Sequence, residues 1–246
     1  MRSFRNLRPV VATGSKARVQ HLIVESARRC GLKMALLAAP GGYLRTTGWI
    51  ESAWRARPVD ASGMPQPWLT MPAIRFLDSR LRHDHLLFEY GSGGSTAWFA
   101  QRVEEVVSVE HSAAWYEEVI RLVPANARVN LREVEPKPVF LDMVFHPLGE
   151  SSDYARAVRE LPSRPPDVVV IDGLDRLNCI AEAMTVVSGR GVILADNLEY
   201  EQPFAPAVQQ LVSSGWRDLR LWGLAPGELR ESCTGIFYRD GNCLGI

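Results

Sequence analysis

The chain has 246 residues, 46% hydrophobic and 9% aromatic, enough for the core of one large α/β domain and too apolar for a globally disordered chain. Its formal charge is +0, yet residues 1 to 58 carry 11 Lys or Arg against 2 acids while the remainder carries 17 against 26. No apolar run approaches the roughly 20 residues that span a bilayer, and the start "MRSFRNLRPVVATGSKARVQ" lacks the apolar core of a secretion signal, so a soluble, cytoplasmic protein is expected.

The basic first segment can pack against an acidic surface of its own domain or of a dimer mate, or make weak peripheral contact with anionic lipid. No aromatic interleaving supports a nucleic-acid partner. Cys30, Cys179, Cys233 and Cys243 form no CxxC pair and read as reduced thiols, and His21, His83, His85 and His146 show no ligand spacing.

Taken in chain order, residues 15 to 30 place Val19, Leu22, Ile23 and Ala27 on one helical face, with Ser15 as cap and Gly31 as stop. "LKMALLAAPGGYL" predicts a short apolar helix ended by Pro40, Gly41 and Gly42. Residues 43 to 66 read as irregular, with "PVDASGMPQP" a loop. Thr70 caps a helix over 71 to 81 that tolerates Pro72 in its first turn. Pro67, Trp68 and Thr70 stand where a lid or acceptor entrance is expected, or simply pin the loop.

From His85 the pattern alternates. Strands are expected at "HLLFEY", "EVVSVE", "RVNLREV", "PDVVVID" and "GVILAD", with helices at 95 to 102, 112 to 122, 151 to 160 and 176 to 188. A further helix over 203 to 214 precedes "WRDLRLWG" and "SCTGIFYRD", which no helix separates and which should pair antiparallel. The fold class expected is α/β: a doubly wound, mostly parallel seven-stranded sheet after an N-terminal helical extension, with domains at 1–67 and 68–246.

The turn "FEYGSGGST" follows the first regular strand, where open α/β sheets bind ligands. A dinucleotide fingerprint needs a third glycine at position 96, where Thr96 stands, and this disfavours a nicotinamide oxidoreductase. The pattern E-x-G-x-G-x-S across Glu89, Gly91, Gly93 and Ser95 instead resembles the first motif of class I S-adenosylmethionine-dependent methyltransferases, over roughly residues 68 to 246. That resemblance implies S-adenosylmethionine as cofactor, with Glu89, Gly91, Ser92, Gly93 and Ser95 at its methionine end. Glu110, 19 residues after Gly91, would grip the ribose diol. His111 borders the adenosine or is merely solvated, and Trp115 packs on adenine or in the core. The whole string also resembles a bacterial methyltransferase family of unassigned substrate.

"VVVIDGLDR" ends in Asp172 and "VILADN" in Asp196 and Asn197, a hard-oxygen set that resembles the catechol and caffeoyl-coenzyme A O-methyltransferases. The resemblance implies Mg2+ on Asp172, Asp196 and Asn197, holding an acceptor hydroxyl of a small molecule. The metal-free alternative leaves Asp172 lining the cofactor pocket. Enzymes of that type carry a lysine after the fourth-strand acid, and none stands here. Asp172 or Asp175 is then the candidate base, and Arg176 steers an anionic acceptor or simply starts a helix. A methyltransferase-fold scaffold without catalysis is the alternative of another class.

Overall fold

The structure, a computed structural model, describes residues 22–25, 33–134, 146–161 and 164–246. The chain forms two compact units, Met1–Thr46 and Thr47–Ile246. In the first, a helical turn covers 22–25, followed by α1 (Lys33–Ala38) and α2 (Tyr43–Thr46). That turn lies within the helix expected over 15–30, the rest of which, with Cys30, falls outside the described residues. Between α1 and α2, a Cβ on Gly42 would collide with the Leu37 carbonyl, so the turn needs its glycine.

The second unit opens with α3 (Trp49–Arg55), inside the stretch expected to be irregular. Long-range contacts hold this short helix. The Trp49 indole donates to the Glu228 carbonyl at 2.7 Å, and buried Ser52 donates to the Val59 carbonyl and accepts from its N–H at 2.9 and 3.0 Å. Residues 47–67, expected with the extension, therefore lie in the same compact unit as the sheet. α4 (Met71–Asp78) starts on Thr70, whose hydroxyl accepts from Ala73 N–H at 3.4 Å and donates to the Leu221 carbonyl at 3.0 Å. The cap thus also ties the helix to the terminal hairpin.

The sheet elements follow as β1 (Leu86–Tyr90), α5 (Gly94–Ala100), β2 (Glu105–Glu110), α6 (Ala113–Val119) and β3 (Ala127–Leu131). Then come α7 (Asp153–Arg156), which tightens into a 3-10 turn at Ala157–Glu160, β4 (Val168–Ile171), α8 (Arg176–Val186), β5 (Val192–Ala195) and α9 (Glu201–Ser213). β6 (Arg217–Leu224) and β7 (Glu231–Tyr238) close the chain. The order is β3-β2-β1-β4-β5-β7-β6, parallel as far as β5, with β7 antiparallel to both its neighbours.

Continuous apolar runs form the inner strands because both faces are covered. Phe88, Tyr90, Val169, Ile171, Ile193 and Ala195 enter one core layer, while Leu87, Val168, Val170, Val192 and Leu194 enter the other. Helices end slightly inside their expected bounds. α6, for instance, relaxes after Val119 into turns ahead of Pro124, which cannot donate to a continuing helix.

Candidate functional site

Strand order reverses between β1 and β4, which makes their carboxyl ends the crevice of the sheet. Gly91 leaves β1 at φ +90°, and a Cβ there would lie 3.0 Å from the Asp172 carbonyl and from Gly173 backbone. Two strand-end turns therefore touch backbone to backbone. Gly173 is equally constrained, since a Cβ on it would collide with the hydroxyl of fully buried Tyr154.

Glu110 ends β2, the neighbour of β1 on the other side. Its Oε2 accepts from Ser92 N–H and Oγ–H at 3.0 and 2.9 Å, and its Oε1 accepts from His111 and Ser112 N–H, each at 2.9 Å. Burial pushes the carboxyl up, but the His111 imidazole, followed by Ser112 N–H and the Ser92 hydroxyl, outweighs it and holds the group below its ordinary range. One carboxylate thus shapes the turn after β1 and the start of α6. Trp115 closes the same corner: its indole N–H donates to the Ser92 carbonyl at 2.8 Å, and its ring lies 3.8 Å from where a Gly93 Cβ would be. His111 sets its Nδ1 at 3.1 Å from Glu110 Oε1 and is partly exposed.

Glu89 is fully buried, and its Oε2 accepts from Thr96 Oγ1–H at 2.6 Å, while Thr96 Oγ1 accepts from Gly93 N–H at 2.9 Å. Thr96, the residue that breaks a dinucleotide fingerprint, is what links the acid to the turn. Ser95 stands beside it in the first turn of α5. Glu89 Oε1 has no hydrogen-bond partner among the described residues, and burial pushes the carboxyl up to about 7. A buried acid with an unpaired oxygen beside an unshielded glycine turn fits the cationic methionine end of S-adenosylmethionine, whereas Glu110, expected at the ribose, spends both oxygens on Ser92, His111 and Ser112 and shapes the turn instead.

Asp172, Asp196 and Asn197 do converge, because Ile171 and Ala195 pair in register at the ends of β4 and β5. The cation among them is a guanidinium. Arg176 donates to Asp172 Oδ1 at 3.1 Å, to Asn197 Oδ1 at 3.0 Å and to the Asp196 carbonyl at 2.9 Å. Asp196 Oδ1 accepts from Thr234 at 2.5 Å, and burial, followed by the charge of Asp172, pushes its carboxyl up to about 8. The oxygen set therefore does not fit the expected Mg2+: Asp172 Oδ1 and Asn197 Oδ1 already accept from Arg176, and Asp196 Oδ1 accepts from Thr234. No group of three or more His, Cys, Asp or Glu suited to a metal occurs among the described residues.

Asp175, the other candidate base, is placed elsewhere. It is fully buried at φ +48° before α8 and accepts from Ser152 N–H and Oγ–H at 3.1 and 2.6 Å and from Asn178 at 2.8 Å, with His146 Nδ1 at 3.2 Å. It anchors the segment before α7, and its lone pairs are spent there. Nor does Arg176 reach an acceptor, being 6% exposed.

A cleft of about 430 Å³ opens over the ends of β4, β5 and β7, and Asp172, Asp196, Asn197, Glu199, Glu231 and Trp68 are among its walls. Asp172 keeps 24% of its side chain exposed, and burial pushes its carboxyl up against the opposing charge of Arg176. Of Pro67, Trp68 and Thr70, Trp68 is a wall of the cleft, while Thr70 is fully buried as the cap of α4. Sequence reasoning missed Glu199, which accepts from Cys233 N–H at 2.9 Å and Ser232 Oγ–H at 3.1 Å and so joins the exit of β5 to β7. Nothing in its spacing marks it, because its partners lie 33 and 34 residues away.

No protein-family model and no curated protein sequence matches the chain. Solved structures match by fold. The O-methyltransferase TomG from Streptomyces achromogenes, involved in tomaymycin synthesis and determined in complex with S-adenosylmethionine, aligns at a TM-score of 0.55 and 14% identity, over 80% of this chain and 88% of that one. Precorrin-6y C5,15-methyltransferase from Geobacter metallireducens aligns at 0.48 and 16%, over 69% and 88%. The N-methyltransferase NodS from Bradyrhizobium japonicum aligns at 0.45 and 9%, over 67% and 90%. At these identities the likeness is one of fold: the chain has the Rossmann-like fold of class I methyltransferases, with one antiparallel hairpin closing the sheet. No helix among the described residues is long and apolar enough to cross a membrane.

Proposed function

We propose that the protein is an S-adenosylmethionine-dependent methyltransferase acting on a hydroxyl of a small molecule. The observation that carries this reading is the meeting of two sites at one residue. Asp172 abuts the glycine turn of β1 through its backbone and lines the acceptor cleft with its side chain. A cofactor held by Glu89, Gly91, Ser92, Gly93, Ser95 and Glu110 supplies a methyl group on a sulfonium. The bound sulfonium would supply the methyl group to an acceptor hydroxyl, whose proton would pass to the Asp172 oxygen that Arg176 leaves free. Burial raises the proton affinity of Asp172, which suits it to that task.

The cleft also narrows the acceptor class. Asp172, Glu199, Glu228 and Glu231 face one cationic wall residue, Arg230, so phosphorylated and carboxylated acceptors meet repulsion, while neutral or cationic phenols, sugars and amino alcohols do not. Two measurements test the proposal. Calorimetric titration should show binding of S-adenosylmethionine and S-adenosylhomocysteine, and a methyl-transfer screen should give turnover on neutral or cationic hydroxyl compounds that Asp172→Asn abolishes. Failure to bind either cofactor form rejects the class. Cofactor binding with no turnover on any acceptor favours a binding protein instead.

A further inference from the structure

We propose that Arg176 is the built-in cation of this site: its guanidinium stands where a divalent ion would otherwise sit, fixes Asp172 and Asn197, and makes the site independent of metal. The catalytic meaning of this rests on the methyl-transfer reading above, whereas the cation-binding behaviour does not.

The geometry has two parts. Parallel register brings the exits of β4 and β5 side by side, so Asp172 and Asp196 sit at neighbouring strand ends and their charges need compensation. Such a pair can be relieved by a metal, by a proton or by a basic side chain. Here Asp196 turns to the Thr234 hydroxyl at 2.5 Å, and the guanidinium takes Asp172.

Donor accounting supplies the second part. A guanidinium has five N–H groups, and each of those of Arg176 has an acceptor. Nε donates to the Gly173 carbonyl at 2.8 Å, Nη1 to the Asp196 carbonyl at 2.9 Å and Asn197 Oδ1 at 3.0 Å, and Nη2 to the Asp172 carbonyl and Oδ1, both at 3.1 Å. Nothing is left for a substrate, so Arg176 is a positioning residue. It joins the exits of both strands from the first turn of α8. A dication bound to the same oxygens, at the roughly 2.0–2.6 Å that Mg2+ or Ca2+ requires, would lie beside that fixed charge and compete for the same lone pairs.

Removing the guanidinium should therefore create what it prevents. In Arg176→Met, the carboxylate of Asp172 with the oxygens of Asp196 and Asn197 becomes a divalent-cation site, whereas Arg176→Lys keeps a charge there and excludes the ion. The test is electron paramagnetic resonance of added Mn2+, with thermal melts in magnesium and in chelator, on the full-length chain. The wild type and Arg176→Lys should leave the free Mn2+ signal unchanged and melt alike in both conditions. Arg176→Met should deplete the signal and melt about 5 °C higher in magnesium, and Asp172→Asn added to it should abolish both effects. Wild-type depletion of Mn2+ that Asp172→Asn abolishes overturns the proposal. So does a folded Arg176→Met chain that binds no Mn2+, or an Arg176→Lys chain that binds it as well as Arg176→Met. If Arg176→Met is not recovered folded, depletion of the Mn2+ signal by Arg176→Lys or by the wild type overturns the proposal, and an unchanged signal with both supports it. Titration of the wild type with S-adenosylhomocysteine, run alongside, reports on the methyltransferase reading separately.

Discussion

Buried acids at the strand ends make the protein's stability depend on pH in an unusual direction. Burial raises Glu89 to about 7 and Asp196 to about 8, whereas both titrate near 4 in an unfolded chain. Between those limits the folded state holds protons that the unfolded chain has released, so stability falls as pH rises through that window. Below pH 4 neither group contributes, and above about 8 the loss is complete. Melts of the ligand-free protein should show this decline. Asp196→Asn, which mimics the protonated acid and keeps an acceptor for Thr234, should flatten the curve and melt above the wild type at pH 8. A variant less stable than the wild type at that pH rejects the assignment. Glu110 behaves oppositely, being held ionised by its donors. Glu110→Gln should weaken S-adenosylhomocysteine binding by roughly tenfold to a hundredfold, because a neutral amide cannot accept all four of the donors that hold the turn, and calorimetry reads it directly.

Among the elements, the pair that matters most is β1 with β4, whose exits meet at Gly91 and Gly173. Gly91→Ala adds a methyl 3.0 Å from the Asp172–Gly173 backbone just past β4 at a left-handed φ of +90°, and neither strand can retreat because both lie inside the sheet. The expected cost is about 1–3 kcal/mol, read as a lower urea midpoint, with cofactor affinity reduced as the turn shifts. An unchanged midpoint would mean that the two turns are not in contact. The neighbouring elements are tied by side chains: Glu110 joins the exits of β1 and β2, Trp115 locks α6 over the turn, and Thr70 fastens α4 to β6.

At the scale of the molecule, the boundary between the compact units lies at Thr46 and Thr47. A chain starting at Thr47 should fold cooperatively and keep its cofactor affinity. A chain starting at Trp68 loses the Trp49 bond to the Glu228 carbonyl and the backbone contact between Gly227 and Ala53, both of which brace the hairpin beside the cleft. One hydrogen bond, one close backbone approach and the packing of one indole are at stake, about 2–4 kcal/mol in sum. Circular dichroism melts of the two truncations separate them, and equal melting temperatures would show that residues 47–67 do not support the sheet.

The parallel strands, the glycine turn and the acids that end β1, β2, β4 and β5 were legible from the sequence because each is local. An apolar run buried on both faces needs no partner to be recognised, and a strand's last residue reaches the carboxyl edge whatever its neighbours are. Long-range placement decided the rest. Asp172 and Arg176 are 4 residues apart and read as a helix start, but Arg176 also meets Asp196 and Asn197, 20 and 21 residues on, and only register brings them together. Asp175 looks as available as Asp172 along the chain, yet Ser152, 23 residues earlier, buries it. α3 spans only 7 residues, too few for its apolar spacing to decide a helix, and it is held because the Glu228 carbonyl, 179 residues away, accepts from its indole. The sequence by itself determined which residues stand at the strand ends. Tertiary structure decided which of those charges are paired, protonated or open to a ligand, since that depends on groups that chain spacing does not relate.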